Sequence, residues 1–181
     1  DVSRKKSLVD IALNLATSSG ASYCDVRIGR YLQQSIITRE SKVQSIVSSE
    51  SIGAGIRVLV KGAWGFAATS DLTATGIGNA VQQAMLIANS NAKIQTQPVQ
   101  LAKAPALGVV SWATPIKINA MAIPVKEKAD LLLSVNAAAM NAGANFVNSQ
   151  LFLVNEQKYF ASTDGSYVDQ DIHRIWPNFT V

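Results

Sequence analysis

Apolar residues recur every three or four positions between Ser3 and Ser19, at Leu8, Ile11, Ala12, Leu15 and Ala16, and Gly20 follows where a left-handed cap would fall. That spacing predicts an amphipathic helix. From Ser22 to Thr69 the period changes to two: Cys24, Val26 and Ile28 alternate with Asp25, Arg27 and Gly29, and Ile56, Val58 and Val60 alternate with Arg57, Leu59 and Lys61. Between them, Ser35–Arg39 and Lys42–Ser48 are β-branched and polar. The pattern predicts four or five strands joined by short turns. A parallel crossover needs a dozen or more residues, so these strands form an antiparallel meander.

Asp71-Leu72-Thr73 opens a second helix whose stripe of Ile77, Val81, Ala84, Met85 and Ala88 runs to about Ser90. Periodicity then disappears from Asn91 to Ile123, where Pro98, Pro105 and Pro115 punctuate a long connection containing Trp112. Pro124 fits the first turn of a third helix, with Ala129, Leu132, Leu133, Ala139 and Met140 facing inward and Gly143 ending it. Asn145–Val154, Gln157–Thr163 and Tyr167–Trp176 read as strands, the last two joined at Asp164-Gly165, where both residues tolerate positive φ. The expected fold is α+β: antiparallel sheet with helices packed on one face, in the order helix, strands, helix, long connection, helix, strands. Its expected organisation is an α+β unit over 1–91, a connection over 92–123, and a helix with strands over 124–181.

Composition removes several classes of function. With 48% hydrophobic and only 15% charged residues, the 181-residue chain collapses rather than staying disordered. No apolar run approaches the roughly 18 residues that span a bilayer, so no membrane partner is expected. One histidine, His173, and one cysteine, Cys24, exclude an intrachain disulfide and argue against a self-contained zinc site. The net charge of +4 comes from scattered Lys and Arg, with Arg4-Lys5-Lys6 the one cluster. It falls in the first turn of a helix and reads as a solvated end, so no nucleic-acid partner is expected. Because the sequence starts at Asp1 without methionine, either trimming or removal of an N-terminal signal is expected.

The segment that carries most identity is Ser51 to Ala67. Gly53 and Gly55 superficially resemble a phosphate-binding loop, yet a β-branched strand follows them instead of a helix. The physical reading is a strand pair, with Lys61-Gly62 as the turn and Trp64 and Phe66 covering one face. Gly53, Gly55, Ile56, Arg57 and Val58, then Gly62, Trp64, Gly65, Phe66 and Ala67, then Asp71 and Leu72 resemble the N-terminal signature of the TldD/PmbA family, bacterial zinc metalloproteases once described as modulators of DNA gyrase. Gly20 to Arg27 is similar to that family's entry into its first strand, and Ser162 to Ser166 to a hairpin of its middle region.

The resemblance implies a two-domain metallopeptidase whose zinc sits on a His-Glu-x-x-x-His helix, where two imidazoles hold the metal and the glutamate acts as base. This sequence contains no such motif. The zinc therefore belongs to the full-length enzyme and none is expected in this stretch. The family also includes non-catalytic partner subunits without the motif. Implied partners are a peptide or unfolded protein substrate and a second subunit, either a copy or a paralogue, in the bacterial cytoplasm or, after export, in the periplasm.

Several side chains remain candidates for chemistry. Asp169, Asp171 and His173 alternate along one strand, which fits either a metal-binding face or a solvated one; the resemblance favours the second by placing zinc elsewhere. Arg57 is positioned to pair with Asp25 or Glu50, with a substrate carboxylate as the other reading. Trp64 and Phe66 are sheet-covering aromatics or peptide anchors. Cys24 reads as a small buried side chain rather than the nucleophile of a Cys-His-Asn site with His173. No catalytic residue, cofactor contact or metal ligand is assigned to this chain; Arg57, Trp64 and Phe66 are the candidate substrate or partner contacts.

Overall fold

The computed structural model describes residues 2–181. In chain order its elements are α1 (Val2–Ser18), β1 (Tyr23–Arg39), β2 (Lys42–Val60), β3 (Ala63–Thr69), α2 (Ala74–Asn91), β4 (Gly108–Ala113), α3 (Val125–Asn141), β5 (Asn148–Ser162) and β6 (Ser166–Thr180). The strands form one sheet in the order β3-β2-β1-β5-β6-β4, mostly antiparallel, which is the expected α+β class. Among the described residues no helix is long and apolar enough to cross a membrane.

The strands are fewer and longer than the sequence pattern predicts. β1 and β2 run 17 and 19 residues, and β5 joins Asn145–Val154 to Gln157–Thr163 without a break. Polar residues such as Gln33-Gln34-Ser35 and Asn155-Glu156 do not interrupt a ladder held by backbone hydrogen bonds. The chain reverses where φ turns positive: at Glu40, at Lys61-Gly62 and at Gly165. Lys61 and Gly62, at +49° and +76°, give a hairpin turn whose twist matches the flanking strands. The stretch expected to be a long connection holds β4, an edge strand exposed along its whole length.

The chain divides into two compact units. The first contains the segment ending at Arg30, Ile52–Trp112 and Gln157–Gln170; the second contains Tyr31–Ser51, Ala113–Glu156 and Asp171–Val181. In the first unit, α1 buries Leu8, Val9, Ala12, Leu13 and Ala16, and α2 buries Ile77, Ala80, Val81, Ala84, Met85 and Ala88. Both pack on one sheet face made of Cys24, Val26 and Ile28 from β1, Ala54, Ile56, Val58 and Val60 from β2, and Tyr159 and Ala161 from β5. The α1 stripe is turned from the expected one, burying Val9 and Leu13 and leaving Ile11 exposed. The Thr73 hydroxyl accepts from the Gly76 N–H at 3.1 Å and caps α2. At Gly65 a Cβ would run into the carbonyl of Ala84, so only glycine lets α2 approach β3 this closely.

The second unit has a smaller apolar centre of Ile36, Ala129, Leu132, Leu151 and Leu153. A polar knot completes it. Asn136 donates to the Thr38 hydroxyl at 3.1 Å and to the Glu40 carbonyl at 2.9 Å, while the Ser149 hydroxyl donates to Asn136 Oδ1 at 2.5 Å. Of the five α3 residues expected to face inward, Ala129 and Leu132 are buried, Leu133 and Ala139 are half-buried, and Met140 is exposed. Asn136 and Lys128 take the inner positions, the Lys128 ammonium donating to the Ala120 carbonyl at 2.9 Å.

Candidate functional site: a guanidinium and aromatic face

Strand alternation that sends Cys24, Val26 and Ile56 towards the helices sends their neighbours to the opposite face of the first unit. Tyr23, Asp25 and Arg27 from β1, Arg57 from β2, Trp64 and Phe66 from β3, and Phe160 from β5 all occupy that face. The antiparallel register of β2 and β3 sets Arg57 opposite Phe66 and Leu59 opposite Trp64. The three candidates named from the sequence, Arg57, Trp64 and Phe66, are thus brought together.

Asp25 is the centre of the arrangement, with no exposed surface. Its Oδ1 accepts from Arg27 Nη1 at 2.5 Å, and its Oδ2 accepts from Arg57 Nε at 2.9 Å and Nη2 at 2.6 Å. Of the two partners named for Arg57, Asp25 is bonded to it. Each guanidinium also lies over an aromatic ring: Arg57 is 4.5 Å from the Trp64 centroid and Arg27 is 5.0 Å from that of Phe160. Trp64 in turn meets Tyr23 edge to face at 5.8 Å and 89°. The Phe66 ring covers Gly55, where a Cβ would stand 3.1 Å from it.

The electrostatics follow from one carboxylate serving two cations. Burial alone would lower the Arg57 pKa, but the Asp25 hydrogen bonds and charge outweigh it and raise it above the usual value. Burial pushes the Tyr23 phenol up to about 12, with the Asp25 charge adding to the effect, so Tyr23 stays neutral at physiological pH. The two guanidinium side chains keep 43% and 48% of their surface exposed while the carboxylate between them keeps none. A rigid, solvent-facing positive site with flat apolar flanks results.

Residues 24–88, which include Asp25, Arg27, Arg57, Trp64 and Phe66, match PmbA/TldA metallopeptidase domain 1. That span carries the first-domain signature of the TldD/PmbA family. A metalloprotease of Methanocaldococcus jannaschii is 21% identical over 152 residues, covering 84% of this chain and 34% of that protein. Among solved structures, a proposed modulator of a DNA gyrase from Thermotoga maritima has a TM-score of 0.64 at 15% identity, covering 96% of this chain and 38% of that one. TldE from Thermococcus kodakarensis has a TM-score of 0.67 at 13% identity, covering 94% and 38%. A proposed modulator of DNA gyrase from Bacteroides thetaiotaomicron gives 0.60 at 17%, covering 96% and 39%. At these identities the solved structures show the fold. The chain spans little more than a third of the length of each of these relatives.

The other candidates named from the sequence have different roles. Asp169 holds the Lys5 ammonium at 3.2 Å. Asp171 accepts from Asn155 Nδ2 at 2.5 Å and lies 3.3 Å from His173 Nε2, itself 3.1 Å from Asn155 Nδ2. Among the described residues no group of three or more His, Cys, Asp or Glu side chains converges as metal ligands would. Cys24 is buried, and its thiol, pushed up to about 12 by burial and then by the Asp25 charge, is no nucleophile at neutral pH. In the basic cluster, Lys6 pairs with Asp10 at 2.7 Å and Arg4 donates to the Leu72 carbonyl at 3.3 Å. Sequence reasoning gave no role to Tyr23, Arg27 or Phe160. Their signal was the alternation that puts Tyr23 and Arg27 on the same side of β1 as Asp25.

Proposed function

We propose that this chain is the N-terminal, non-catalytic region of a TldD/PmbA-type zinc metallopeptidase that acts on peptides or unfolded protein segments. The observation that carries this reading is the match of residues 24–88 to the first domain of that metallopeptidase family, because the matched span holds nearly all of the guanidinium and aromatic face. In this reading Arg57, Trp64 and Phe66 contact substrate, and the sheet walls the cleft and supports assembly of a dimer. An exposed sheet edge also suits an extended substrate, which can add to it as a further strand.

The donor set of this chain does not fit a zinc site, since its one histidine lies beside Asp171 and Asn155 and, among the described residues, no group of three or more His, Cys, Asp or Glu converges. The reading therefore places the metal on the remainder of the protein and routes no chemical step through these residues. Their part is binding: holding an extended segment, excluding water from its apolar side chains and fixing its direction.

The test is cleavage of an unfolded protein such as casein by the full-length protein, before and after treatment with a chelator. Cleavage that is lost on chelation and restored by zinc is expected. Unchanged cleavage after metal removal refutes the zinc mechanism. Cleavage that appears only on mixing with a family paralogue identifies a partner subunit instead of the catalytic one.

A further inference from the structure

We infer that the Arg27–Asp25–Arg57 cluster is a carboxylate-binding site, and that its ligand is an extended peptide presenting a carboxylate next to an apolar or aromatic side chain. This deepens the reading of that face as a substrate contact and rests on it.

Charge is the first argument. Two guanidinium groups share one buried carboxylate, bound to its opposite oxygens, which leaves one positive charge uncompensated within the cluster. Asp164 acts electrostatically on Tyr23, whereas the carboxylate acting on Arg57 is that of Asp25. Had the arginines served only to neutralise Asp25, one would suffice.

Donor arithmetic is the second argument. Arg57 spends Nε and Nη2 on Asp25 and also hydrogen-bonds Tyr23, whereas Arg27 spends Nη1 and keeps Nε and Nη2. Both side chains are close to half exposed. Planar guanidinium forks match carboxylate geometry, and here they are already immobilised by Asp25 and by the rings of Trp64 and Phe160, so little side-chain entropy is left to lose on binding.

Shape completes the case. Phe66 keeps 58% of its surface exposed beside Arg57, although a core-facing aromatic would bury it. An exposed ring next to an anchored cation offers the apolar contact that a peptide side chain adjacent to a carboxylate requires. Glycine at Gly55 is what allows the Phe66 ring to lie flat on the sheet there.

The experiment measures equilibrium binding of three peptides to the full-length protein by calorimetry, with a chelator present so that nothing is cleaved. The probes are Ala-Ala-Phe as the free acid, the same peptide as its C-terminal amide, and Ala-Glu-Phe amide. The free acid should bind about tenfold more tightly than its amide, as expected for a charge-assisted contact. Arg57→Gln and Arg27→Gln should each remove most of that preference, and Arg57→Lys should restore part of it. If Ala-Glu-Phe amide matches the free acid, the site takes a side-chain carboxylate as well as a terminal one; if it binds as weakly as the simple amide, the site takes a chain terminus alone. Either result supports the site.

Equal affinity for acid and both amides in the unsubstituted protein overturns the inference, as does an acid preference that survives both Arg→Gln changes. Should Arg57→Gln unfold, Arg27→Gln and Arg57→Lys carry the same readout. Chelator-sensitive cleavage without carboxylate preference sinks the inference alone. Carboxylate preference without metal-dependent cleavage sinks the peptidase reading alone.

Discussion

The two units bury their strands by different means. In the first, twenty buried residues from two helices and three strands make an apolar centre, and every charged group of the site is sent to the other sheet face. In the second, five buried residues form the centre and Asn136, Ser149, Thr38 and Lys128 fill the positions that aliphatics would take elsewhere. A large one-sided core lets a sheet carry a polar, half-exposed face on its other side. A small core has no such reserve and must secure itself with hydrogen bonds that are costly to break. The candidate site belongs to the unit with the larger apolar reserve.

The largest effect should come from the closest approach in the first unit. Gly65→Ala forces α2 away from β3 at Ala84, and overpacking of this kind should destabilise by about 3 kcal/mol. Urea denaturation measures it, and Gly29→Ala, where nothing lies within 4 Å, is the control that should change little. A small effect at Gly65 would mean that α2 is not seated as described.

The polar knot of the second unit should come next. Asn136→Ala leaves Ser149, Thr38 and the Glu40 carbonyl without their partner, at about 2 kcal/mol. A double-mutant cycle with Ser149→Ala should show coupling above about 0.5 kcal/mol. Additive losses would show that the knot is a set of separate contacts.

Alkaline pH separates the units by sign. Cys24 is raised in the fold from the usual 9.0 to about 12, so the fold favours the protonated thiol. Its contribution is complete below pH 9 and is lost as pH rises towards 12, amounting to about 1.4 kcal/mol by pH 10. Lys128 works in the opposite direction: burial lowers its pKa below 10.5, so the fold disfavours the ammonium and gains stability as pH rises towards that value. Stability profiles of Cys24→Ala and Lys128→Met should therefore depart from the parent in opposite directions above pH 9. A steeper fall in Cys24→Ala would contradict the burial of the thiol.

Much of the first unit was legible in the sequence because its elements repeat with clean periods. Alternation along β1 and β2 placed Cys24 inside and Asp25 and Arg57 together outside, and Lys61-Gly62 marked the hairpin. Strand length was harder to read, since polar residues on an exposed face look the same in a strand as in a turn. β4 left no trace because both its faces are exposed, and a strand with no buried side has no alternation to show. Asn136 and Lys128 were missed for the converse reason: on an amphipathic helix a polar residue reads as solvent-facing unless its buried partners are known. For Arg27 the alternation gave the face but not the role, which shows only in Asp25 binding it and Arg57 alike.

The central claim is that the exposed aromatic edge of this face, at Phe66, is carried by its frame and is not part of what holds the frame together. Phe66→Ala tests it most directly, with urea stability and affinity for Ala-Ala-Phe measured on the same preparation of full-length protein. The account predicts stability within about 0.5 kcal/mol of the parent, as for an exposed position, together with a several-fold loss of peptide affinity. A loss of stability of about 2 kcal/mol or an unchanged affinity would contradict it.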